Sequence, residues 1–556
     1  AGTSGEVGNT AVGYKAGHDT TTGTISTFIG YKAGENVTSA TNNIAIGASA
    51  FSGASTNLSD CIAIGYLAFS SGKGDHSGAS GGIAIGRQAG RGWLQSSGSV
   101  AIGYQSQYSQ TANFYNTSVG YQSLYGVGHS GGSHSTSHYN TALGYRAGFD
   151  YGAGGSSEHN VFVGHVAGEY NRFGDRGTFV GSQAGRFSTV GVDQTFIGAY
   201  AGIYATGSYN VFVGANAGKG GTTSAPYSSG QSNTAVGYNA LIAFTTGYDN
   251  VAVGKGAGDS VTTGINNVII GSRAGETMSA TSNCVIIGRA AGLAINSADA
   301  NQTTLVGSSA GQSITSGQGN TSLGFYSMFT NSTSDHNVAI GHKSLEDHNV
   351  DGTGANTMVG YEAGKDITTG RYNTGLGSSV VFDADADNQT AIGRGATTDS
   401  ANDIAIGNTS VDEIKGQVDF STFSDRRIKK NIKDNDLGLD FINDLRPRKF
   451  NKVNPAEYPD EIRKANDGNH GEWTDSQANK VWDGLIAQEV KEAVDKHKSS
   501  FSGWNVEKNS KENITYSTLT IPLIKAVQEL TEKNERLKNK LNDLEIFIMD
   551  KLGDDK

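Results

Sequence analysis

The sequence has little of what usually stabilises a small secreted fold or builds a metal site. Among its 556 residues there are only two cysteines, Cys61 and Cys284, and five prolines. Two cysteines so far apart in the chain are neither a disulfide framework nor a set of zinc ligands. We therefore expect no disulfide, no metal and no cofactor.

Long apolar runs and clusters of positive charge are also missing. No stretch of about 18 apolar residues occurs, and the N-terminus lacks a charged start followed by an apolar core. This pattern predicts a soluble chain with no secretion signal and no membrane insertion. The net charge is −11, without a Lys/Arg run interleaved with aromatics, which argues against nucleic acid as a partner. Since there is no initiator Met, we expect the numbering to begin inside a longer precursor.

Composition changes abruptly near residue 423. Residues 424–556 contain 49 charged residues among 133 and only six glycines, whereas residues 1–423 contain 46 charged residues and 73 glycines. The sequence therefore predicts two domains, 1–423 and 424–556, built on different principles.

The first domain is a repeat whose unit reads NTAVGYKAG at residues 9–17. Aligned on its central glycine, the unit occurs 23 times between Gly13 and Gly407, most often 17 residues apart. Val, Ile or Leu precedes every one of these glycines, and Thr, Val or Ile stands two places earlier, which is the period of a β-strand. Stacked coils would make these rows continuous, so we predict a mainly β fold, a parallel β-solenoid or β-roll rod of about 23 coils.

Two further columns of the repeat carry expectations. Asn stands four residues before the glycine in 13 copies, and stacking would align these amides into a hydrogen-bonded ladder. The residue between the two β-branched positions faces the other side of the strand and is aromatic in one block, Phe162, Phe179, Phe196 and Phe212. We interpret that block as a surface where chains or coils press together.

The repeat resembles the β-roll heads of trimeric autotransporter adhesins, whose units share the N-x-A-I-G-x-x-A kernel, and similar repeats occur in phage tail-fibre proteins. The 17-residue unit of this chain is longer than that of the adhesins. The resemblance implies a trimeric adhesive rod.

The second domain carries the more specific signature. SDRRIKKNI at residues 424–432 is followed by FINDLRP at 441–447, GLIAQEV at 484–490 and YSTL at 516–519, then by IPLIKAVQEL at 521–530. These ordered blocks resemble the endosialidase-type intramolecular chaperone domain of phage tail spikes and fibres. The resemblance implies a smaller α+β domain that assists assembly of the rod and then removes itself.

Members of that family cut themselves with a Ser–Lys dyad. Carried over, this implies cleavage between Phe423 and Ser424, with Ser424 as nucleophile, Lys429 as its partner, and Asp425 and His470 as helpers. Five residues correspond to about 140° around an α-helix, so either a turn or the Lys429 of a neighbouring subunit must bring the pair together. The alternative is that Ser424 and Asp425 only cap a helix and that the domain stays uncleaved.

The C-terminal region 517–549 shows the spacing of a coiled coil. Apolar residues with a single polar exception are separated alternately by four and three positions: Leu523, Val527, Leu530, Asn534, Leu537, Leu541, Leu544 and Ile548. We predict a self-associating helix, with three chains implied by the resemblance. The alternative is one amphipathic helix lying on its own domain.

Long intervals between repeats are the natural places for binding loops. The longest, between Gly120 and Gly144, adjoins an aromatic-rich region, 93–151, which is our candidate receptor site. Its proposed contacts are Trp93, Tyr104, Tyr108, Tyr115, Tyr121, Tyr125 and Tyr139. The alternative is that these aromatics stabilise contacts between coils or chains. His129, His134 and His138 have Gly/Ser surroundings typical of a solvated loop, so no metal is expected there.

Together these features predict the trimeric fibre or spike of a phage tail, made in the host cytoplasm and located in the virion. Its expected partners are two further copies, a bacterial surface glycan or outer-membrane receptor, and other tail proteins bound through an upstream region. A polysaccharide depolymerase and a bacterial trimeric adhesin are the alternatives. The only enzymatic activity expected is single-turnover self-cleavage.

Overall fold

The computed structural model of the chain divides into two compact units, Ala1–Gly375 and Leu376–Lys556. It describes all residues except 1–7, 54, 71–79, 94–96, 110–113, 127–136, 151–156, 412, 418–422, 455–456, 460–478, 507–510 and 554–556, and the side chains of 55–57. Because the second unit begins within the last repeats, the boundary at residue 423 stays a prediction.

The repeats form a parallel β-solenoid, as the column pattern predicted. Each of the 23 copies contributes one three-residue strand that ends just before its glycine, and the strands form a single parallel sheet. The strands are Thr10–Val12, Thr27–Ile29, Ile44–Ile46, Ile62–Ile64, Ile83–Ile85, Val100–Ile102, Thr117–Val119, Thr141–Leu143, Val161–Val163, Thr178–Val180, Thr195–Ile197, Val211–Val213, Thr234–Val236, Val251–Val253, Val268–Ile270, Val285–Ile287, Thr304–Val306, Thr321–Leu323, Val338–Ile340, Thr357–Val359, Thr374–Leu376, Thr390–Ile392 and Ile404–Ile406.

Successive strands pair in register, so each column becomes a continuous row. Thr178 pairs with Thr195 and Phe179 with Phe196, for example. Two short parallel pairs lie outside this sheet, Val37–Thr41 with Ser55–Ser59 and Ser334–Asp335 with Gly352–Thr353.

The interior of the solenoid is lined by the middle residues of all but the first and last strands, and of the two contacts predicted for the phenylalanine block, between chains or between coils, the structure shows the contact between coils. Phe162, Phe179, Phe196 and Phe212 are fully buried in one core, where Phe179 and Phe196 lie 5.2 Å apart between ring centroids. The β-branched neighbours point outward instead, and Ile197, next to Phe196, is 39% exposed. The phenylalanines therefore hold coils together inside one chain, while the β-branched rows form its outer surface.

The central glycines are required because consecutive coils approach each other there. Gly254 has a φ of +132°, and a Cβ built on it would lie 2.7 Å from the carbonyl oxygen of Gly271 in the next coil. Gly256 also has a positive φ, +63°, yet the nearest atom to its Cβ position is 3.8 Å away. The two positions therefore differ in the room for a side chain: a Cβ on Gly254 would clash with the next coil, and a Cβ on Gly256 would not.

We expect Gly254→Ala to open the solenoid locally and Gly256→Ala to be tolerated. The first change combines a strained φ with a backbone clash, which should cost about 3 kcal/mol or more beyond the second. Native-state hydrogen exchange of the amides in Val251–Val253 and Val268–Ile270 measures this, with a loss of protection of about 100-fold expected for Gly254→Ala alone. Equal protection in the two variants would contradict the close approach.

The predicted asparagine ladder is confirmed. Asn250 Nδ2 donates to Asn233 Oδ1 over 3.0 Å, and Asn267 Nδ2 donates to Asn250 Oδ1 over 3.0 Å. Each side-chain oxygen also accepts from the backbone N–H of the next asparagine, as between Asn233 and Asn250 at 3.1 Å. Cys284 occupies the same column, and its backbone N–H donates to Asn267 over 3.0 Å. The ladder satisfies polar groups that would otherwise be buried without partners.

The second unit continues into a small α/β region. Its strands Arg448–Asn451 and Val481–Gly484 pair antiparallel, as do Trp504–Val506 and Glu512–Ile514. Its helices are α1 (Leu439–Asp444), α2 (Ala487–Lys496) and α3 (Thr520–Gly553). A 3₁₀ turn at Arg426–Ile428 comes before α1, and another at Tyr516–Leu519 comes directly before α3. Their common core is formed by Leu437, Phe441, Val490, Ala493, Val494, Phe501 and Leu519.

Among the described residues, helix α3 contacts its own domain through its first turns. Pro522 and Ala526 are buried, and Glu529 accepts a hydrogen bond from the Leu439 N–H over 2.7 Å. From residue 530 to 553 every residue of the helix is exposed. None of the described helices has the length and hydropathy to cross a bilayer.

Candidate functional site

A short turn brings together the two residues of the predicted dyad. The 3₁₀ turn Arg426–Ile428 reverses the chain, and Lys429 follows in an extended conformation with φ −115° and ψ 141°. As a result Lys429 Nζ donates to Ser424 Oγ over 2.7 Å within one chain. Of the two arrangements that the spacing allowed, the turn is the one observed.

Asp425 builds this turn and does not contact the dyad directly. Its carboxylate accepts from the Arg427 backbone N–H over 2.8 Å, as an N-cap, and is bound by the Arg427 guanidinium at 2.7 and 3.1 Å. The Arg427 side chain thereby lowers the pKa of Asp425, and Asp425 raises that of Arg427. Among the described residues no hydrogen bond joins Asp425 to Ser424 or Lys429, so its part in orienting the pair stays a prediction. His470 lies outside the described residues.

The dyad lies at the surface of the single chain. Ser424 and Lys429 are both exposed, and Phe423, which contributes the carbonyl of the predicted scissile bond, is 93% exposed. A serine hydroxyl becomes nucleophilic when a neighbouring base removes its proton, and a lysine serves as that base only in its neutral form, which burial favours. The hydrogen-bond geometry of the pair is therefore present, whereas the described residues of the single chain do not shield it from water.

Contacts among the sequence blocks explain why they occur together. Arg448 binds Glu489 through two hydrogen bonds of 2.6 and 3.0 Å, which lowers the pKa of Glu489. The Leu485 N–H donates to the Tyr516 hydroxyl over 2.8 Å. Phe441 from the second block and Val490 from the third meet in the core. The blocks therefore define one folded unit that carries the dyad at its start.

Comparison with known families supports the resemblance to the endosialidase-type chaperone domain. Residues 424–498 match the family model described as chaperone of endosialidase. Over these residues, about one seventh of the chain, the sequence is similar to that family. We call residues 424–498 the chaperone segment, and its match begins at the serine of the dyad. A comparison of the whole chain with curated proteins gives no significant match. A β-solenoid that is followed in the sequence by the chaperone segment supports a protein of the phage tail-fibre or spike type.

The prediction that Trp93 contacts a receptor is wrong. Trp93 is fully buried, with its ring 4.9 Å from that of Phe69 in an edge-on contact. It packs in the interior of the solenoid and cannot reach a ligand at the surface.

The other candidate tyrosines lie in columns of stacked rings on successive coils. Ring-centroid distances are 5.0 Å for Tyr104 with Tyr121, 5.0 Å for Tyr108 with Tyr125, and 5.5 Å for Tyr115 with Tyr139. Tyr121, Tyr115 and Tyr139 are also exposed, at 44%, 57% and 51%. Stacking between coils is thus their observed role, and their part in receptor binding stays a prediction.

The histidine-rich loop falls mostly outside what the structure describes. His129 and His134 lie outside the described residues, while the His138 ring lies 5.0 Å from that of Phe114, tilted by 34°, and accepts from the Phe114 N–H over 3.0 Å. In the described part of the chain, no group of three or more His, Cys, Asp or Glu residues is placed to hold a metal ion.

One groove among the described residues lies outside our candidate receptor site, 93–151, although the interval from Gly214 to Gly237 beside it is one of the three long intervals at which the sequence predicts binding loops. It lies at residues 170–246, beyond the aromatic-rich region, and includes Tyr170, Phe187 and Tyr227. The signal available was the interval from Gly214 to Gly237, 23 residues instead of 17. The clustering of aromatics around 93–151 outweighed that signal.

Proposed function

We propose that this protein is a homotrimeric phage tail fibre or spike, which attaches the virion to a bacterial surface and is assembled with the help of a self-cleaving C-terminal chaperone. The observation that carries the proposal is the 2.7 Å contact between Lys429 and Ser424 at the start of the chaperone segment. Upstream residues would join the fibre to other tail proteins.

In the proposed cleavage, Lys429 in its neutral form takes the proton of the Ser424 hydroxyl. Oγ attacks the Phe423 carbonyl carbon, the C–N bond of the peptide breaks, and an ester forms between Phe423 and Ser424. The departing nitrogen receives the proton from Lys429 and becomes the new N-terminal amine. Water then hydrolyses the ester, restoring the hydroxyl and releasing a carboxylate on Phe423.

Trimerisation is supported by two apolar surfaces without a partner among the described residues. On α3 the heptad positions face solvent, with Leu537 and Leu541 exposed by 57% and 56%. On the solenoid the outward residues of the strands form long apolar rows, such as Ile270 at 37% exposure and Leu323 at 47%. Apolar surfaces of this extent mark contacts between chains, and a heptad seam specifies self-association.

Assembly and cleavage are coupled in this proposal. Parallel coils with long-range pairing fold slowly and expose strand edges meanwhile, so a trimerising C-terminus would align three chains before the solenoids form. Packing of the chains around Ser424 and Lys429 would exclude water from the dyad and activate it. Cleavage would then leave a fibre ending at Phe423.

Host attachment can be tested with the purified, fluorescently labelled protein on a panel of bacterial strains. We expect saturable binding to a subset of strains, displaced by an excess of unlabelled protein and measured by flow cytometry. Binding that unlabelled protein does not displace, or the absence of binding to every strain, would contradict attachment as the function.

A further inference from the structure

One interval between repeats adds an overhanging loop to the side of the solenoid. The interval from Gly214 to Gly237 has six residues more than the common unit. Its return strand is fixed to the coils on both sides: Thr206 N donates to Ser228 O over 2.8 Å, and Ser229 N donates to Thr245 O over 2.8 Å. The outer part, from Thr222 to Tyr227, therefore projects beside the coils.

The loop encloses a groove of about 880 Å³, within the roughly 300–1,000 Å³ usual for small-molecule sites. One wall is aromatic: Tyr170 stacks on Phe187 at 5.2 Å, and Tyr227 from the loop lies 5.2 Å from Phe187. All three rings line the groove and are half-buried, so part of each ring faces the open space.

The remaining lining is rich in hydroxyl groups. Seven serine and threonine residues contribute to it: Thr189, Thr206, Thr222, Ser224, Ser229, Thr245 and Thr246. Thr206 and Thr245 donate to backbone carbonyls at 3.0 Å. The hydroxyls of the other five make no side-chain hydrogen bond to any described residue, so they can donate to and accept from a bound molecule.

Arg172 is the single charged residue of the lining. Its Nε and one terminal nitrogen bind Asp150 at 2.9 and 2.8 Å, and the Asp150 side chain is 5% exposed. This ion pair fixes the guanidinium at the rim, while its other N–H groups point to no described acceptor. The groove therefore offers an almost neutral surface with one fixed donor group.

We propose that this groove is a saccharide-binding site. Sugars combine apolar C–H faces, which pack on aromatic rings, with hydroxyl edges that both donate and accept hydrogen bonds. Aromatic rings beside a border of free hydroxyls match both features. The volume suits a short oligosaccharide, and Arg172 can bind a sugar hydroxyl or a carboxylate of an acidic sugar.

A second copy of the chain is a less suitable occupant. The apolar rows that we assign to chain contacts lie on the strands, before each central glycine. The groove residues come from the part of the repeat that follows the glycine, as Phe187 follows Gly181 and Thr245 follows Gly237. The proposal rests on the host-attachment function above and supplies the site and the ligand class for it.

The test uses the full chain on a printed array of bacterial capsule and lipopolysaccharide oligosaccharides. The strongest binder is then titrated by calorimetry against the wild type, Tyr227→Ala, Thr246→Val and Tyr238→Ala. Tyr238 is the matched control, an exposed tyrosine of the solenoid that does not line the groove. Thr246→Val nearly preserves shape, so it separates lost hydrogen bonding from misfolding.

We expect Tyr227→Ala to weaken binding about tenfold or more and Thr246→Val roughly two- to tenfold, with Tyr238→Ala unchanged. Absence of any bound oligosaccharide would overturn the site, as would equal affinities for all four proteins or a change in the number of subunits of the assembly caused by Tyr227→Ala. The cell-binding assay separates the two proposals. If Tyr227→Ala binds cells as well as the wild type, the proposed saccharide site is wrong, while host attachment remains supported. If the wild type binds no strain, host attachment itself is contradicted.

Discussion

Expression of the full chain should yield two fragments, one ending at Phe423 and one beginning at Ser424, whereas Ser424→Ala should remain a single chain of 57.8 kDa. The serine provides the only atom that attacks the peptide carbonyl, so its loss removes the reaction and does not merely slow it. Intact-mass spectrometry of both proteins locates the cut to the residue. Fragments of the same masses from Ser424→Ala would contradict the assignment of the nucleophile.

The lysine can be tested with a matched neighbour. Lys429 contacts Ser424, whereas Lys430 is also exposed and makes no hydrogen bond to Ser424, so Lys430→Ala controls for the loss of one positive charge. Loss of a general base typically slows a reaction by about 10²–10⁴-fold, and we expect this for Lys429→Ala and Lys429→Arg. Cleavage as fast in Lys429→Ala as in Lys430→Ala would assign the base elsewhere.

The sequence predicts the solenoid well because its columns are physical requirements of every coil. A glycine such as Gly254 must accept both a positive φ and a carbonyl at 2.7 Å from its Cβ position. An asparagine such as Asn250 must join its neighbours on both sides. Requirements repeated 23 times are visible in one chain without any related sequence.

The orientation of the strands was less accessible. An alternation of period two shows that a strand has two faces, but not which of them is inside. In this solenoid the interior is narrow: the ring of Phe162 occupies the space that a side chain on Gly168 would need. Most interior strand positions hold Ala, Ser or Phe, but Ile269, Ile286 and Leu305 are also fully buried there, so residue type alone does not show which face is inside. The width of the interior depends on how each coil closes, and the strand pattern does not predict that closure.

The dyad shows a similar limit. A regular α-helix places residues five apart on different faces, which made a direct contact within one chain only one of two options. The 3₁₀ turn Arg426–Ile428 and the extended Lys429 bring the side chains together because the helical geometry ends after three residues. The cap that produces this turn, Asp425, was recognisable in the sequence, but the direction of the chain after it was not.

The second large effect concerns α3, in a Ser424→Ala background that keeps the C-terminus attached. We expect this protein to have three times the mass of the chain, and the double variant Leu537→Lys/Leu541→Lys to be monomeric. Both leucines lie on the exposed heptad seam, where closely packed lysines from three chains would bury unpaired charge. Light scattering after size-exclusion chromatography measures the mass directly.

Ile546→Lys is the matched control for this experiment, because Ile546 is 63% exposed on the same helix but lies off the seam. It should leave the trimer intact, and circular dichroism should show helix in all three proteins.

With Ser424 restored, the double variant should also fail to cleave, since the dyad is exposed in a single chain and depends on neighbouring chains to exclude water. A trimeric double variant would place the association elsewhere, on the apolar rows of the solenoid. Rapid cleavage of a monomer would show that the turn alone activates Lys429.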